Sequence, residues 1–386
     1  MVSAACLVGE LTRKGFKLFT GVPCSYLKPL INFVIDSEDL RYVGATNEGD
    51  AVAIASGAFL GGTKSVVIFQ NSGFGNAVNP LTSMNAIFRL PVLVITTLRG
   101  EPGGAADEPQ HELMGQITPQ LFDLMRIPWE YLPQEESEIS AAVERAARYM
   151  DAEQTPYGFI MRKDSVAPHK LKSKPKVKHL VSADLPNSAT PVPPGSAAAR
   201  PTRRQVLEFI QRHSRKSDVL LATTGFTGRV LYALDDRPNQ LYMVGAMGCV
   251  SSLGLGLALT QPQRRIIVLD GDGAALMRLG ALATIGYERP ANLLHILLDN
   301  EVHDSTGGQS TVSHSIDLAQ IARACGYLKV ERTDDLAGFG NSFQQLGNEL
   351  SFLQVKTQAG ESDDLPRPTV TPAQVAERLK EWLKCY

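Results

Sequence analysis

The stretch Val268-Leu-Asp-Gly-Asp-Gly-Ala274 (VLDGDGA) ends an apolar run with one carboxylate between two glycines. The apolar part is typical of a buried strand. Two interpretations of its end are open. Asp272 lies in a tight turn in contact with solvent, or it holds a metal ion against a phosphate while Gly271 and Gly273 let the backbone approach closely.

A second apolar segment, residues 292–300 (NLLHILLDN), ends in another pair of oxygen-bearing side chains, Asp299 and Asn300. The intervening AALMRLGALATIG is predicted to form a crossover helix, and a right-handed crossover makes the two strand ends neighbours. A carboxylate from Asp272, an amide oxygen from Asn300 and the main-chain carbonyl of Val302 suit Mg²⁺ or Ca²⁺, and Mg²⁺ also takes oxygens from a bound phosphate. This pairing favours the metal interpretation.

Two common nucleotide-binding motifs do not fit. The third glycine of a GxGxxG fingerprint would fall at position 276, which is Leu276. A GxxxxGK[ST] phosphate loop is absent from the sequence. The glycines around Asp272 therefore do not predict a nicotinamide or P-loop site.

The composition is typical of a soluble globular protein with two or three domains. The 386 residues carry a formal net charge of −2, with 44% hydrophobic and 20% charged residues. This balance favours neither nucleic acid nor an anionic membrane as a partner, and no apolar segment reaches the roughly 18 residues needed to span a bilayer. Five scattered cysteines indicate reduced thiols, and the N-terminus lacks a signal-peptide pattern. We therefore expect a cytoplasmic protein.

Short apolar runs alternate with helical patterns in both halves of the chain. The predicted strands are KLFTGVP, LRYVGAT, KSVVIFQN, PVLVITT and YGFIMR, then DVLLATTG, LYMVG, RIIVLDGDG, LLHILLDN and SFLQVKT. Such alternation predicts βαβ units and parallel sheets. Residues 166–201 interrupt it with prolines and the lysines of HKLKSKPKVKH, so we expect an exposed connection between α/β domains at 1–165 and 202–386.

The segment GDGAALMRLGALATIGYERPANLLHILLDNE, residues 271–301, resembles the signature of thiamine-diphosphate-dependent decarboxylases. The family pattern is GDG followed by an asparagine pair, and the pair here is Asp299-Asn300. The resemblance covers nearly the whole chain. It implies an α/β fold of two thiamine-diphosphate-binding domains, pyrimidine-binding and then diphosphate-binding, each a mostly parallel sheet flanked by helices, with no central domain. It also implies thiamine diphosphate and Mg²⁺ as cofactors, and a homo-oligomer, at least a dimer, with its site at the subunit interface.

The resemblance implies cofactor contacts from both halves of the chain. Glu48 matches the family's catalytic glutamate, which binds the far ring nitrogen of the cofactor; an acidic residue that favours the helix dipole is the alternative. Met247 matches the large side chain beneath the bent cofactor, and a core role is the alternative. The other implied cofactor-binding residues are Asn71, Gly73, Gly271, Asp272, Gly273, Ala274, Asn300 and Val302.

The segments TGVPCS, RGEPG, DEPQH and NEVHDSTGGQ are similar to those of phosphonopyruvate decarboxylases in particular. A substrate with a carboxylate and a phosphonate needs cations and strong hydrogen-bond donors. His111 and His303 are the candidates for catalytic proton transfer; larger decarboxylases carry a His-His pair instead. The implied substrate-binding residues are Ser25, Lys28, Arg99, His111, Asp304 and Ser305.

The expected reaction is non-oxidative decarboxylation of 3-phosphonopyruvate to phosphonoacetaldehyde and CO₂. Three alternatives are weighed against it. One is the same chemistry on sulfopyruvate, a small 3-substituted pyruvate with a sulfonate. The second is carboligation, which the missing flavin-binding central domain argues against. The third is a catalytically silent module that binds thiamine diphosphate, which intact Glu48, Asp272 and Asn300 argue against.

Overall fold

The computed structural model describes residues 1–174, 178, 200–360 and 364–385. It divides into two compact units, Met1–Val177 and Lys178–Tyr386. Much of the predicted connection, residues 175–177 and 179–199, lies outside the described residues. Its first residues are attached to the first unit, because Val166 forms a parallel bridge with Val2 and His169 Nε2 lies 2.9 Å from Asp36 Oδ2.

The first unit contains one sheet of six parallel strands. The strands are β1 (Phe16–Gly21), β2 (Arg41–Gly44), β3 (Lys64–Phe69), β4 (Leu93–Thr97), β5 (Trp129–Tyr131) and β6 (Tyr157–Met161). Their order in the sheet is β2-β1-β3-β4-β6-β5. The central strands β3, β4 and β6 are almost wholly buried, which explains their near-continuous apolar sequences.

Helices cover this first sheet. They are α1 (Ala4–Arg13), α2 (Lys28–Asp36), α3 (Glu48–Leu60), α4 (Phe74–Pro80), α5 (Ala86–Phe88), α6 (Glu112–Leu124) and α7 (Glu136–Glu153). Side chains from α1, α2, α7 and the sheet form one hydrophobic core. The helix α3 is buried along nearly its whole length against β1, β3 and α4, and its small residues allow this close packing. The start of α3 is thereby fixed at the end of β2.

The second unit contains another six-stranded parallel sheet and a short antiparallel hairpin. The strands are β7 (Val219–Ala222), β8 (Gln240–Tyr242), β9 (Ile266–Gly271), β10 (Leu293–Asp299), β11 (Val302–His303), β12 (Gln309–Ser310), β13 (Lys329–Thr333) and β14 (Ser351–Lys356). The sheet order is β13-β14-β10-β9-β7-β8, and β11 pairs with β12. The helices are α8 (Arg203–His213), α9 (Phe226–Leu234), α10 (Val250–Thr260), α11 (Asp272–Met277), α12 (Gly280–Glu288), α13 (Leu318–Ala324), α14 (Leu336–Gln345) and α15 (Pro372–Cys385).

The predicted α/β class with parallel sheets flanked by helices is confirmed in both units. The strands β9 and β10 are neighbours, with Leu298 opposite Gly271, so their carboxyl ends lie side by side as predicted. The crossover between them, predicted as one helix, is instead two helices, α11 and α12. In the described parts of the chain, no helix combines the length and the apolar character needed to cross a membrane.

Candidate active site

Glu48 is the first residue of α3, at the carboxyl end of β2. The preceding Asn47 caps the helix, with its Oδ1 accepting a 2.8 Å hydrogen bond from the Gly49 amide. Glu48 Oε2 accepts a 2.8 Å hydrogen bond from Asn76 Nδ2. A Cβ atom added at Gly73 would lie 2.0 Å from Glu48 Oε1. Gly73 therefore makes room for the carboxylate, and Asn76 orients it.

The close contact between Gly73 and Glu48 leads to a first prediction. We expect Gly73→Ala to lower turnover about 10-fold, because the added methyl group must displace the carboxylate and small misplacements near a reacting centre cost up to about 10²-fold. Gly75→Ala is the matched control, since a Cβ there would have no atom within 4 Å. Steady-state kinetics on both variants test the prediction. Equal losses in the two variants would show that the effect is not specific to Glu48.

Asn71 lies two residues after the end of β3 and is fully buried. Its Nδ2 donates to the Arg99 carbonyl oxygen at 2.9 Å and to Thr118 Oγ1 at 3.1 Å. Its backbone amide donates to Thr97 Oγ1 at 3.2 Å. The side chain that was expected to contact the cofactor thus holds the end of β3 against the loop that follows β4.

Arg99 lies just after β4 and forms an ion pair with Asp107. Its Nε donates to Asp107 Oδ2 at 2.9 Å, Nη2 contacts Oδ1, and the guanidinium carbon lies 5.0 Å from the centre of the Tyr26 ring. The Arg99 guanidinium holds the pKa of Asp107 well below its usual range, so this carboxylate is ionised at neutral pH. An anionic substrate would therefore meet only those N–H groups of Arg99 that Asp107 does not take.

His111 ends a short 3-10 turn immediately before α6. Its side chain is buried, and Nδ1 has no hydrogen-bond partner among the described residues. The Arg99 loop packs tightly on this turn, because a Cβ at Gly100 would lie 2.0 Å from the His111 carbonyl oxygen. A buried nitrogen without a hydrogen bond lowers the stability of the fold. Its presence at His111 therefore favours a role for this side chain in binding or proton transfer.

Ser25 is an exposed residue of the segment that joins β1 to α2, and Lys28 is the exposed first residue of α2. Within this segment, the Cys24 thiol lies 3.1 Å from Gln70 Oε1. The Tyr26 hydroxyl also donates to Asp107 at 3.3 Å. The loops that follow β1, β3 and β4 therefore lie together at the carboxyl edge of the first sheet, near the start of α3.

Asp272 is the first residue of α11 and is buried. Its Oδ2 contacts the Thr311 hydroxyl and lies 3.1 Å from Ser313 Oγ. The same Ser313 oxygen lies 2.9 Å from Asp299 Oδ1. Burial raises the pKa of Asp272, and the nearby charge of Asp299 raises it further. The ionised form of Asp272 would therefore gain from a nearby cation.

The carboxylates next to Asp272 already have cationic partners. Lys356 Nζ lies 2.8 Å from both Asp299 Oδ2 and Glu301 Oε1, and Arg200 Nη1 lies 2.8 Å from Glu301 Oε2. Although burial opposes it, these ion pairs lower the pKa of Glu301 to about 2. Among the described residues, none forms an ion pair with Asp272. A divalent cation bound there would supply the missing positive charge, so the site fits Mg²⁺ electrostatically.

Asn300 follows β10, next to the end of β9. Its Nδ2 donates to Asp304 Oδ2 at 2.6 Å, and the one bond that its Oδ1 accepts from a described residue is a long bond of 3.4 Å from the Val302 amide. Glu301 adopts a left-handed conformation with φ of 65° between these residues. Within the described residues, no group of three His, Cys, Asp or Glu side chains could hold a metal ion. A cation here would thus need amide, main-chain, water or phosphate oxygens besides Asp272.

Met247 and His303 both lie against Gly273. A Cβ at Gly273 would lie 2.5 Å from His303 Cε1 and 3.4 Å from Met247 Cε. Gly248, with φ of 87°, brings the loop after β8 onto α11, because a Cβ there would lie 3.0 Å from the Ala274 carbonyl oxygen. Met247, in the loop after β8, therefore lies close to Gly273 at the start of α11.

The remaining predicted residues border the same strand ends. Gly271 ends β9, and Ala274 is buried in α11. Ser305 is exposed, and its Oγ would lie 3.5 Å from a Cβ at Gly225, which precedes α9 with φ of 90°. The loops after β7, β8, β9 and β10 thus meet at the carboxyl edge of the second sheet.

Among the residues in direct contact with the predicted site that were not identified from the sequence are Asn76, Asp107, Thr311 and Ser313. Asn76 and Asp107 lie within the segments QNSGFGNAVNP and DEPQH. Each is a polar residue close in sequence to a predicted site residue, Gly73 or His111, and this proximity could have identified it. Thr311 and Ser313 lie about 40 positions from Asp272 and belong to no motif, so only the folded chain reveals their contact.

Comparisons with known proteins match both halves of the chain. Residues 1–120 match the N-terminal TPP binding domain of thiamine pyrophosphate enzymes, and residues 225–355 match their C-terminal TPP binding domain. The chain is 45% identical over 392 residues to the phosphonopyruvate decarboxylase of Streptomyces viridochromogenes, which covers 99% of this chain and 95% of that protein. It is 29% identical over 406 residues to the sulfopyruvate decarboxylase of Methanosarcina acetivorans, covering 97% and 95%. The crystal structure of benzoylformate decarboxylase from Polynucleobacter necessarius, 13% identical, superposes with a TM-score of 0.69 over 94% of this chain and 99% of that one, which shows a shared fold.

Proposed function

The chain belongs to the family of thiamine-diphosphate-dependent decarboxylases, and on this basis we propose that it converts 3-phosphonopyruvate to phosphonoacetaldehyde and CO₂. The observation that carries the proposal is the identity of 45% to a phosphonopyruvate decarboxylase along 99% of the chain. Sulfopyruvate decarboxylation is the second candidate, supported by the lower identity of 29% to an enzyme of that name. The predicted pair of thiamine-diphosphate-binding domains is confirmed.

The cofactor is thiamine diphosphate, which supplies the electron sink for loss of CO₂ when it is bound. We propose that Mg²⁺ accompanies it, with Asp272, Asn300 and the carbonyl of Val302 as protein ligands. The absence of an ion pair to Asp272 from any described residue and the oxygen-only character of these groups support this assignment. The backbone of Gly271–Ala274 would then approach the diphosphate.

The pyrimidine-side roles fall to Glu48 and its neighbours. We assign Glu48 to bind the far ring nitrogen of the cofactor and to exchange a proton there. Asn76 and the absence of a side chain at Gly73 fix the carboxylate for this task. Met247 would support the bent cofactor from the other side, where its methyl group already lies near Gly273.

The substrate's anionic groups are assigned to the loops at the two sheet edges. Arg99, Ser25, Lys28 and Ser305 would supply the cations and hydroxyl donors that a phosphonate and a carboxylate require. The carbon that loses CO₂ must then gain a proton. His111 and His303 are the proposed donors, and His111 combines burial with an unpaired ring nitrogen in the described structure.

Glu48→Gln should lower turnover by about 10²-fold or more while cofactor binding persists, because an amide can still form a hydrogen bond but cannot exchange the proton. Stopped-time assays of CO₂ release at saturating cofactor measure the loss. The matched control is Glu136→Gln, which also neutralises the first residue of a helix, where Glu136 accepts a 2.9 Å hydrogen bond from the Ser3 amide. Near-normal activity in Glu48→Gln would leave only a helix-dipole role for Glu48.

We further propose that the active unit is at least a homodimer, in which each site uses the pyrimidine domain of one chain and the diphosphate domain of its partner. Mixing Glu48→Gln chains with Asp272→Ala chains should then restore part of the activity. In a mixed dimer, one of the two sites carries both substitutions and the other carries neither. Exchange of subunits is verified by native mass spectrometry of differently labelled chains. Absence of rescue after verified exchange would show that each site is formed within one chain.

Product analysis tests the reaction itself. Phosphorus NMR should show phosphonoacetaldehyde forming in equal amount to the CO₂ released, because nothing else in the proposed reaction consumes the aldehyde. A ligated product would indicate carboligation, and binding of thiamine diphosphate without CO₂ release would indicate a silent module. We propose that the enzyme acts in the cytoplasm, in phosphonate biosynthesis, where irreversible loss of CO₂ would draw forward an unfavourable carbon–phosphorus bond formation.

A further inference from the structure

We infer that Asp304, held by Arg203, is a positioning residue that turns the amide oxygen of Asn300 toward the cation, and that it is not a contact of the substrate. This inference deepens the proposed metal site and rests on it. It reassigns the carboxylate of Asp304, which the sequence pattern had placed among the substrate-binding residues.

The orientation of the Asn300 amide carries the inference. The nitrogen and the oxygen of a side-chain amide lie in one plane, on either side of the Cβ–Cγ axis, so they face different neighbours. Because Nδ2 donates to Asp304 Oδ2 at the short distance of 2.6 Å, Oδ1 is held on the side away from Asp304. Within the described parts of the chain, that oxygen accepts a single marginal bond of 3.4 Å, from the Val302 amide, so it has capacity for a cation. A flipped amide would instead present its NH₂ group, which cannot ligate a metal.

Asp304 is itself fixed from two directions. Its Oδ2 accepts a 2.9 Å hydrogen bond from Arg203 Nη2, and its Oδ1 accepts one of 3.1 Å from the Gly360 amide. Arg203 is the first residue of α8, whose start is fixed by Thr202 and Gln205, which cap it reciprocally. The capped start of α8 therefore fixes Arg203, Arg203 fixes Asp304, and Asp304 orients the amide of Asn300.

Charge and burial argue against a substrate contact by Asp304. The Arg203 and Asp304 side chains are 9% and 7% exposed, so the pair is largely withdrawn from solvent. A carboxylate in this place would repel a substrate that carries two anionic groups. The pair as a whole is neutral, so it orients Asn300 without adding negative charge to the cation site.

The affinity for Mn²⁺ in the presence of saturating thiamine diphosphate tests the inference without turnover. Electron paramagnetic resonance of free Mn²⁺ gives this affinity directly. Asp304→Ala should weaken it by about 10- to 100-fold, as expected when the group that orients a metal ligand is lost. Asp304→Asn, which keeps an oxygen for Asn300, should recover most of the affinity. At saturating Mn²⁺, the KM for 3-phosphonopyruvate should stay near the wild-type value.

A double-mutant cycle separates positioning from a general loss of stability. If Asp304 acts through Asn300, adding Asp304→Ala to Asn300→Ala should cost little further affinity. The control is Asp218→Ala, because Asp218 forms a buried ion pair of 2.6 Å with Arg265 at the opposite edge of the same sheet. It should lower stability but leave the Mn²⁺ affinity unchanged.

Four outcomes would overturn the inference. An Asp304→Ala variant with wild-type Mn²⁺ affinity, or losses that add fully in the double variant, would refute positioning while leaving the metal site intact. A loss in Asp218→Ala as large as that in Asp304→Ala would assign the effect to stability. If Asn300→Ala itself leaves the affinity unchanged, the proposed metal site fails and the inference fails with it.

Discussion

Asp272→Ala is expected to abolish the retention of thiamine diphosphate, because the variant would lose the carboxylate that we propose holds Mg²⁺ at the diphosphate site. Asp272 is buried, is contacted by the hydroxyls of Thr311 and Ser313, and has no ion pair with any residue in the described parts of the chain. The neighbouring Asp299 is already paired with Lys356. Asp299 is therefore not available to replace it. Asn300→Ala should weaken retention less, since one neutral ligand is lost.

Calorimetric titration with thiamine diphosphate and Mg²⁺ measures this loss. Thermal unfolding provides a second readout, because ligand at 100 times its Kd stabilises a protein by about 2.7 kcal/mol and the variant should gain nothing. The control is Asp335→Ala, which removes the acid that caps α14 through a 2.8 Å bond to the Gly338 amide in the same unit. Unchanged cofactor affinity in Asp272→Ala would refute the site.

The second large effect concerns the acid that the enzyme prefers. We expect kcat/KM for 3-phosphonopyruvate to exceed that for pyruvate by at least about 10³, with sulfopyruvate between them because a sulfonate carries one charge fewer than a phosphonate. The cations and donors proposed to bind the phosphonate would have no partner when pyruvate binds. Buried groups left without a partner disfavour pyruvate strongly. His111 is one such group, since its Nδ1 has no partner in the described structure. Competitive assays with all three acids measure the ratios.

Arg99→Ala should reduce the ratio of kcat/KM for 3-phosphonopyruvate to kcat/KM for pyruvate, mostly by lowering kcat/KM for 3-phosphonopyruvate. Arg162→Ala is the matched control, because Arg162 also pairs with a carboxylate, Glu101 at 2.8 Å, and also lies over a tyrosine ring. It should leave the substrate ratio unchanged. Equal turnover of pyruvate, or an unchanged ratio in Arg99→Ala, would refute the substrate assignment while the cofactor assignment could stand.

The central strands and the neighbouring ends of β9 and β10 were predictable, because strands buried on both faces of a parallel sheet have apolar sequences. The ends of β9 and β10 are the clearest case, since Asp272 and Asn300 directly follow these two adjacent strands. The strands β5 and β13 were not predicted. Each is an edge strand of its sheet, and β13 is largely exposed, so neither has an apolar run in its sequence.

The local bonding of the site residues was less predictable, because it depends on contacts between distant segments. Sequence patterns nominate Arg99 and Asp304 as charges in loops, but they do not reveal that Asp107 and Arg203 already pair with them. Gly73 is a contrasting case. Its place in a glycine-rich turn predicted a pocket, and the structure gives the reason, which is the close approach of Glu48.

The most direct test of the central claim is CO₂ release from 3-phosphonopyruvate by protein that has been stripped of cofactor and metal. Initial rates are compared without additions, with thiamine diphosphate alone, with Mg²⁺ alone and with both. The family membership, Glu48 and the Asp272 site together predict that rapid CO₂ release requires both additions. Absence of CO₂ release when both are present, or equal release when neither is added, would contradict the assignment.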